Sequence, residues 1–487
     1  MTPLLARTRE RRRGLRLWHV WIVLPLAFVA ALAVASSVFY AGWDLLGAQT
    51  LKAEPRIDSK TLFDLVKLSF GVVAGAGGLV ALVVAYRRQR VDEDGALRDA
   101  TRLHSERFTV AVSQLGDDSA AVRLGGVHAL AHLADDAPTR ALRQSCIDVL
   151  CAYLRLPYTA ESDLPAGDTL ARHSYLELRQ VRHTVIRLIR DHLRLGVEHS
   201  HSWRDHSFDF TSVVFDGGDF EDAHFLGHVS FEDAQFTGGH VSFDGAGFTG
   251  GTVSFDSAEF TGGHVSFNGA GFTGGTVSFD SAEFTGGLVS FYGAEFTGGE
   301  ISFDRAEFTG GRVSFVSAQF TGGDVSFNHA RSTGGGVSFV SAQFTGGDVS
   351  FNHAEFTGGD ISFTGTQITA GRVSFTGTQI TADHVCFDGA QFTGGHVSFI
   401  RTGVTGGTVS FEDAQFTGGD VSFNRAEFTG GTVSFDSAVF TGGDVSFNDA
   451  QFTGGAVDFG RAGGTAPEGL PSSGGSVPAG LVLPTAW

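Results

Sequence analysis

The chain is 487 residues long with a formal charge of −19, from 53 Asp plus Glu against 34 Lys plus Arg. So acidic a composition excludes a general nucleic-acid binder, which needs cations to displace counterions from phosphates. Three cysteines exclude a disulfide framework and agree with a reducing compartment, and 68 glycines with 45 phenylalanines point away from an ordinary globular domain.

Residues 1–17 are basic, with six arginines between Arg7 and Arg16. Residues 18–43 contain no Asp, Glu, Lys or Arg and are long enough to span a bilayer. Trp18, Trp21, Tyr40 and Trp43 stand at the two ends of that stretch, where interfacial aromatics belong. A second apolar run, about 66–86, is followed at once by Arg87, Arg88 and Arg90. Basic residues on both outer flanks predict a two-helix transmembrane hairpin over 18–90 in a cell-membrane protein, with both termini and all that follows in the cytoplasm. Ala27, Ala31 and Ala35 form a small-xxx-small face, and Gly71 and Gly75 offer another, so the two spans can pack closely. A signal peptide ending near Ala33-Val34-Ala35 is the competing reading of the first span.

Residues 91–206 lack a strand pattern and read as a small helical domain. Val122, Leu124, Val127, Leu130 and Leu133 recur at helical spacing and predict a packed face. His128 and His132, four apart, could chelate a metal. No Glu follows His128, so the H-E-x-x-H motif fails, and no third ligand is evident; the expectation is no metal site.

From residue 207 to 462 the chain repeats. Phe210, Phe215, Phe220 and Phe225 are five apart, and Val213, Gly218 and Ala223 stand two before three of them. From Phe231 through Phe243 and Phe255 to Phe459, twenty phenylalanines follow at intervals of twelve. A second ladder, Phe236, Phe248, Phe260 and onward to Phe452, holds 15 Phe in 19 rungs, with Ser332, Ile368, Ile380 and Val404 as the exceptions. The unit x-V-S-F-x-x-A-x-F-T-G-G alternates two short inward-facing strands with a two-residue corner and a longer Gly-Gly corner. A fixed period this long is the signature of a solenoid, whose core is built by stacking. Residues 240–263 and 264–287 differ only at Asp244 against Asn268, which favours a 24-residue coil of four faces. A flattened 12-residue coil of two faces is the rival. Arg331-Ser332 reads as a local weak point, a polar pair where Glu-Phe or Gln-Phe is the rule.

The first four units resemble the pentapeptide-repeat family, and the later ones a modified form in which every second corner has gained two residues. That resemblance implies a mainly β fold, a right-handed quadrilateral β-helix. ERFTVAVSQLGDDSAAVRLGGVHALAHLADD and CIDVLCAYLRLPY are similar to the helical segment of membrane-anchored members, which has no activity to carry over; here it would cap the open end of the solenoid.

Surface positions yield no chemistry. His240, His264, His384 and His396 recur at the long corner and read as solvated surface. T-G-G-D at Asp324, Asp348, Asp360, Asp420 and Asp444 lacks the G-G-x-G-x-D pattern and nine-residue period of calcium β-rolls. No P-loop, nucleophile elbow or C-x-x-C is present. The expectation is therefore no enzyme, with no catalytic, cofactor-binding or metal residues. Charge is the one suggestive feature: residues 207–462 hold 30 Asp plus Glu against seven Arg and no Lys, a net of −23, which leaves +4 for the rest. Such a solenoid would repel nucleic acid and attract basic proteins. The first function to expect is a non-catalytic membrane-tethered scaffold for an unidentified basic protein partner, with a homodimer through the hairpin or the solenoid end also conceivable. The alternative, implied by acidic members of the family that imitate DNA, is a gyrase binder. Residues 463–487, rich in Gly and Pro, read as a disordered tail.

Overall fold

The computed structural model describes residues 58–161, 164–381, 384–471 and 476–487, with scattered helical positions such as Leu26, Phe28 and Val29 between 25 and 44. The chain divides into two compact units at Leu103/His104.

In the first unit, helix α1 (Ser59–Leu115) begins, and it runs on past the boundary for 57 residues. It is the one helix among the described residues long and apolar enough to cross a membrane. At 1.5 Å per residue it measures about 85 Å, far more than the ~30 Å of a hydrocarbon core, so only part of it could lie in lipid. The helix runs on through residues 90 and 91, because no proline interrupts it and its Gly77 and Gly78 cost stability without ending it. Most of the first expected span, 18–43, lies outside the described residues, as do Ala27, Ala31 and Ala35; the described helix is single rather than a hairpin. A methyl added at Gly71 or Gly75 would meet nothing within 4 Å among the described residues.

In the second unit, α2 (Ala120–Asp135), α3 (Arg140–Leu154) and α4 (Thr169–Arg194) precede the β-structure. Thr139 and Asp168 cap α3 and α4 by accepting from backbone amides of the first turn. Val127, Leu130 and Leu133 of α2 are buried, while Val122, expected on the same face, is 38% exposed. Val122 sits one turn too early, beside the helix start, where no neighbouring element covers it.

The solenoid is built from very short parallel strands that pair coil to coil. Each coil has four faces. Taken in chain order from Phe208, face 1 starts at Phe208–Asp209, face 2 at Val214–Phe215, face 3 at Gly218–Asp219 and face 4 at His224–Phe225. Faces 2 and 3 form sheets of 11 and 12 strands, giving about 11 turns. Faces 1 and 4 merge into an 18-stranded sheet, because the T-G-G corner between them is drawn into continuous strands at Glu295–Ser302, Gln319–Ser326, Gln415–Ser422 and Val439–Ser446. Pairing starts at a 21-residue offset (Phe215↔Phe236), passes through 23 (Phe225↔Phe248) and then holds at 24 (Phe236↔Phe260). The 12-residue coil is thereby overturned: strands twelve residues apart lie on opposite faces.

Phenylalanine dominates the interior, with Val, Ala and Ile filling the remaining positions. Phe210, Phe215, Phe220, Phe225, Phe231, Phe236, Phe243, Phe248, Phe255 and Phe260 are all essentially inaccessible. The twelve-residue ladder splits into two opposed columns. Within a column the rings stack, as Phe231 on Phe255 at 4.5 Å and 3°. Between columns they meet edge to face, as Phe231 against Phe243 at 5.6 Å and 90°. Both geometries suit the ring quadrupole. At the long corner, Gly347 has φ +72, and any side chain there would collide with the Gly323 carbonyl one coil below.

Buried Ser332 is not left unsatisfied: its hydroxyl lies 3.3 Å from the Gly335 carbonyl and 3.2 Å from the Gly358 carbonyl, and Arg331 lies between Glu307 and Glu355. Nor is the tail after Gly463 disordered in its described part. Gly463–Gly464 pairs with Val439–Phe440, Leu481–Val482 pairs with Val457–Asp458, and Trp487 packs on Phe440 and Phe459. The last coil would otherwise expose aromatic rings and unpaired strand edges, so covering it is favourable despite the Gly/Pro content.

Candidate functional surface

The cap meets the solenoid through α4, whose arginines face the carboxylates of the first coil. Asp216 is the centre. Its Oδ2 accepts from the hydroxyls of Tyr158 and Tyr175, each at 2.6 Å, and from Arg179 at 3.1 Å, while His183 Nε2 lies 3.2 Å from Oδ1. Burial alone would raise this carboxyl; the hydrogen bonds from His183, Tyr158 and Tyr175 outweigh it and hold Asp216 well below the usual carboxylate range. Burial first, and then the Asp216 carboxylate, push Tyr175 up to about 12. Arg182 donates to the carbonyls of Leu154 (2.6 Å) and Val214 (2.7 Å) and stacks over Tyr158 at 4.2 Å, tying the end of α3 to the first coil. Further along α4, Arg190 pairs with Asp219 and Arg194 with Glu221. None of these residues was singled out in the sequence; the arginine-rich α4 beside an acidic first coil was the available signal.

A second polar cluster holds α2, α4 and the segment before the solenoid together. Asp135 accepts from His192 Nε2 at 3.1 Å and from Trp203 Nε1 at 3.2 Å, and the His192 and Trp203 rings stack at 4.0 Å. His192 Nδ1 faces the Leu188 carbonyl at 2.6 Å. With acceptors at both ring nitrogens, the imidazolium form is favoured. Burial opposes that charge, but the hydrogen bonds to Asp135 and Leu188 prevail and raise the His192 pKa.

Both clusters lie within the second unit. The nearest approach to a nucleophile pair is Cys146, whose sulfur lies 3.9 Å from His104 Nε2. Burial pushes that thiol up to about 12, so it stays protonated, and Cys151 is pushed equally far, again by burial first. His128 and His132 are exposed on α2, and no group of three metal-ligating side chains stands together among the described residues. The His240 and His264 rings meet edge to face at 4.9 Å, His384 is exposed, and His396 Nδ1 lies 2.8 Å from Asp420. Asp324, Asp348, Asp360, Asp420 and Asp444 are all exposed.

The distinctive surface is an array of carboxylates in register. On face 2, Glu259 pairs with Glu283 and Glu283 with Glu307, so three like charges stand one strand spacing apart, about 4.8 Å. On the adjacent corner, Asp256, Asp280 and Asp304 each use Oδ1 to accept from a serine hydroxyl and a backbone amide of the next coil. On face 1, Glu300 pairs with Asp324, and the Asp348 amide donates to Asp324 Oδ1. Stacked like charges destabilise the sheet that carries them. Arg331 relieves the face 2 column where it would otherwise continue.

Residues 206–247 match the family model described as pentapeptide repeats, in 9 copies. The match takes in the five-residue period and runs past the first T-G-G corner at Thr237, Gly238 and Gly239. No curated protein and no solved structure matches the chain.

Proposed function

We propose, for a chain that carries a pentapeptide-repeat β-solenoid, that it is a non-catalytic, membrane-tethered scaffold whose acidic coils capture basic protein partners. In this reading the apolar part of α1, 66–86, forms the anchor, residues 91–206 are the adaptor, and a right-handed solenoid lies in the cytoplasm. One observation supports it most: the in-register carboxylates Glu259, Glu283, Glu307 and Glu300, Asp324, Asp348. Such columns cost the free molecule stability, and cations of a partner would offset that repulsion. Rigid strands also keep the charges at fixed spacing, so little ordering is needed on binding.

The test is crosslinking and pull-down from membranes with wild type and with those six positions changed to Gln or Asn. Partners rich in Lys and Arg should be lost from the neutralised variant, while circular dichroism stays that of the parent. Retention of the same partners by a folded variant would end the acidic-capture reading.

A further inference from the structure

We infer that face 4 is a self-association surface, through which a second copy of this chain packs face to face. Along this face the outward position reads Gln319, Gln343, Gln367, Gln391 and Gln415, five glutamines in unbroken register. All but Gln391 are exposed. On the preceding corner the adjoining column reads Tyr292, Val316, Val340 and Thr364, joined coil to coil by backbone bonds such as Gly293 N–H to the Val316 carbonyl at 3.0 Å. Tyr292 is 56% exposed, the most exposed large hydrophobic side chain of the solenoid.

Three physical points favour a second copy over other occupants. First, the strip is uncharged through the coils of Gln319, Gln343 and Gln367 in a solenoid of net −23, so two copies can approach here without apposing carboxylates. Second, a twofold interface must be self-complementary. A primary amide carries both donor and acceptor, so a glutamine column complements another glutamine column, whereas a carboxylate column repels its own copy. Third, Val316 and Val340 supply the apolar anchor that a polar strip by itself lacks, with Tyr292 at its end in the coil of Glu295. Five coils extend only about 24 Å, so the contact falls short of the ~800 Å² per partner of a standard interface. The dimer is accordingly weak and depends on local concentration. The surface is distinct from the carboxylate columns of faces 1 and 2, so the inference stands or falls independently of partner capture.

The experiment is disulfide trapping of the full chain in membranes, in a Cys386→Ser background. Gln367→Cys, on the strip, is compared with Glu283→Cys, on face 2. Oxidation should give a product of twice the chain mass at Gln367→Cys, at least fivefold more than at Glu283→Cys. Adding Gln319→Glu and Gln343→Glu should abolish it while circular dichroism and thiol labelling remain unchanged. Equal yields at the two cysteines would overturn the inference. So would a Gln367→Cys adduct whose mass is that of the chain plus a different protein.

Discussion

Arg331 and Ser332 show how one coil departs from its neighbours without breaking the stack. Arg331 Nε lies 3.2 Å from Glu355 and its guanidinium 3.9 Å from Glu307, all at exposed positions. An isolated exposed pair is worth little, but this arginine also interrupts a column in which Glu would face Glu on both sides. Arg331→Glu would extend the column from Glu259 to Glu355 without a break. We expect a loss of about 1 kcal/mol, seen as a lower melting temperature that largely recovers in high salt. An equal loss at both salt concentrations would refute the electrostatic account.

At the scale of elements, α4 is the pivot, with its inner side on the first coil and its last turns on Asp135 and Trp203. The linkage has a definite sign. The His192 pKa is raised in the folded chain, so its contribution is complete below the ordinary histidine value of about 6.5 and is lost as pH rises through the raised value. The charged and titratable groups around it are Asp135 and His201 from across the cluster, Asp191 beside it on α4, and Arg143, which donates to the Asp135 carbonyl. Buried His206 has the opposite sign, since burial lowers its pKa. Whole-protein melts therefore mix the two, and a difference is needed. The melting-temperature gap between wild type and His192→Gln should be widest below the ordinary histidine value and close with rising pH. A gap independent of pH would mean that His192 contributes only packing against Trp203.

For the molecule as a whole, the segment 463–487 acts as a terminal cap, and its removal tests how far stacking alone suffices. Without it, Phe440 and Phe459 lose the Trp487 ring and the Val457–Asp458 strand loses its Leu481–Val482 partner. Truncation after Ala462 should lower the melting temperature and give large assemblies by light scattering, through exposed edges. A truncated chain that remains as dispersed as the parent would show the last coil to be self-sufficient.

Period and composition determined much of this protein from the sequence alone. Strictly spaced phenylalanines could only be buried by stacking, glycines had to stand at corners where a side chain would strike the coil below, and acidic outward positions had to align once the period was 24. These are local constraints repeated identically, which is why they are legible residue by residue. Tertiary structure alone decided the rest. The Asp216 cluster joins residues 33–58 positions apart, Trp203 reaches Asp135 across 68, and the Gly/Pro-rich end folds back because the last coil leaves rings uncovered. Each depends on which surfaces meet after folding, and no period marks them in the chain.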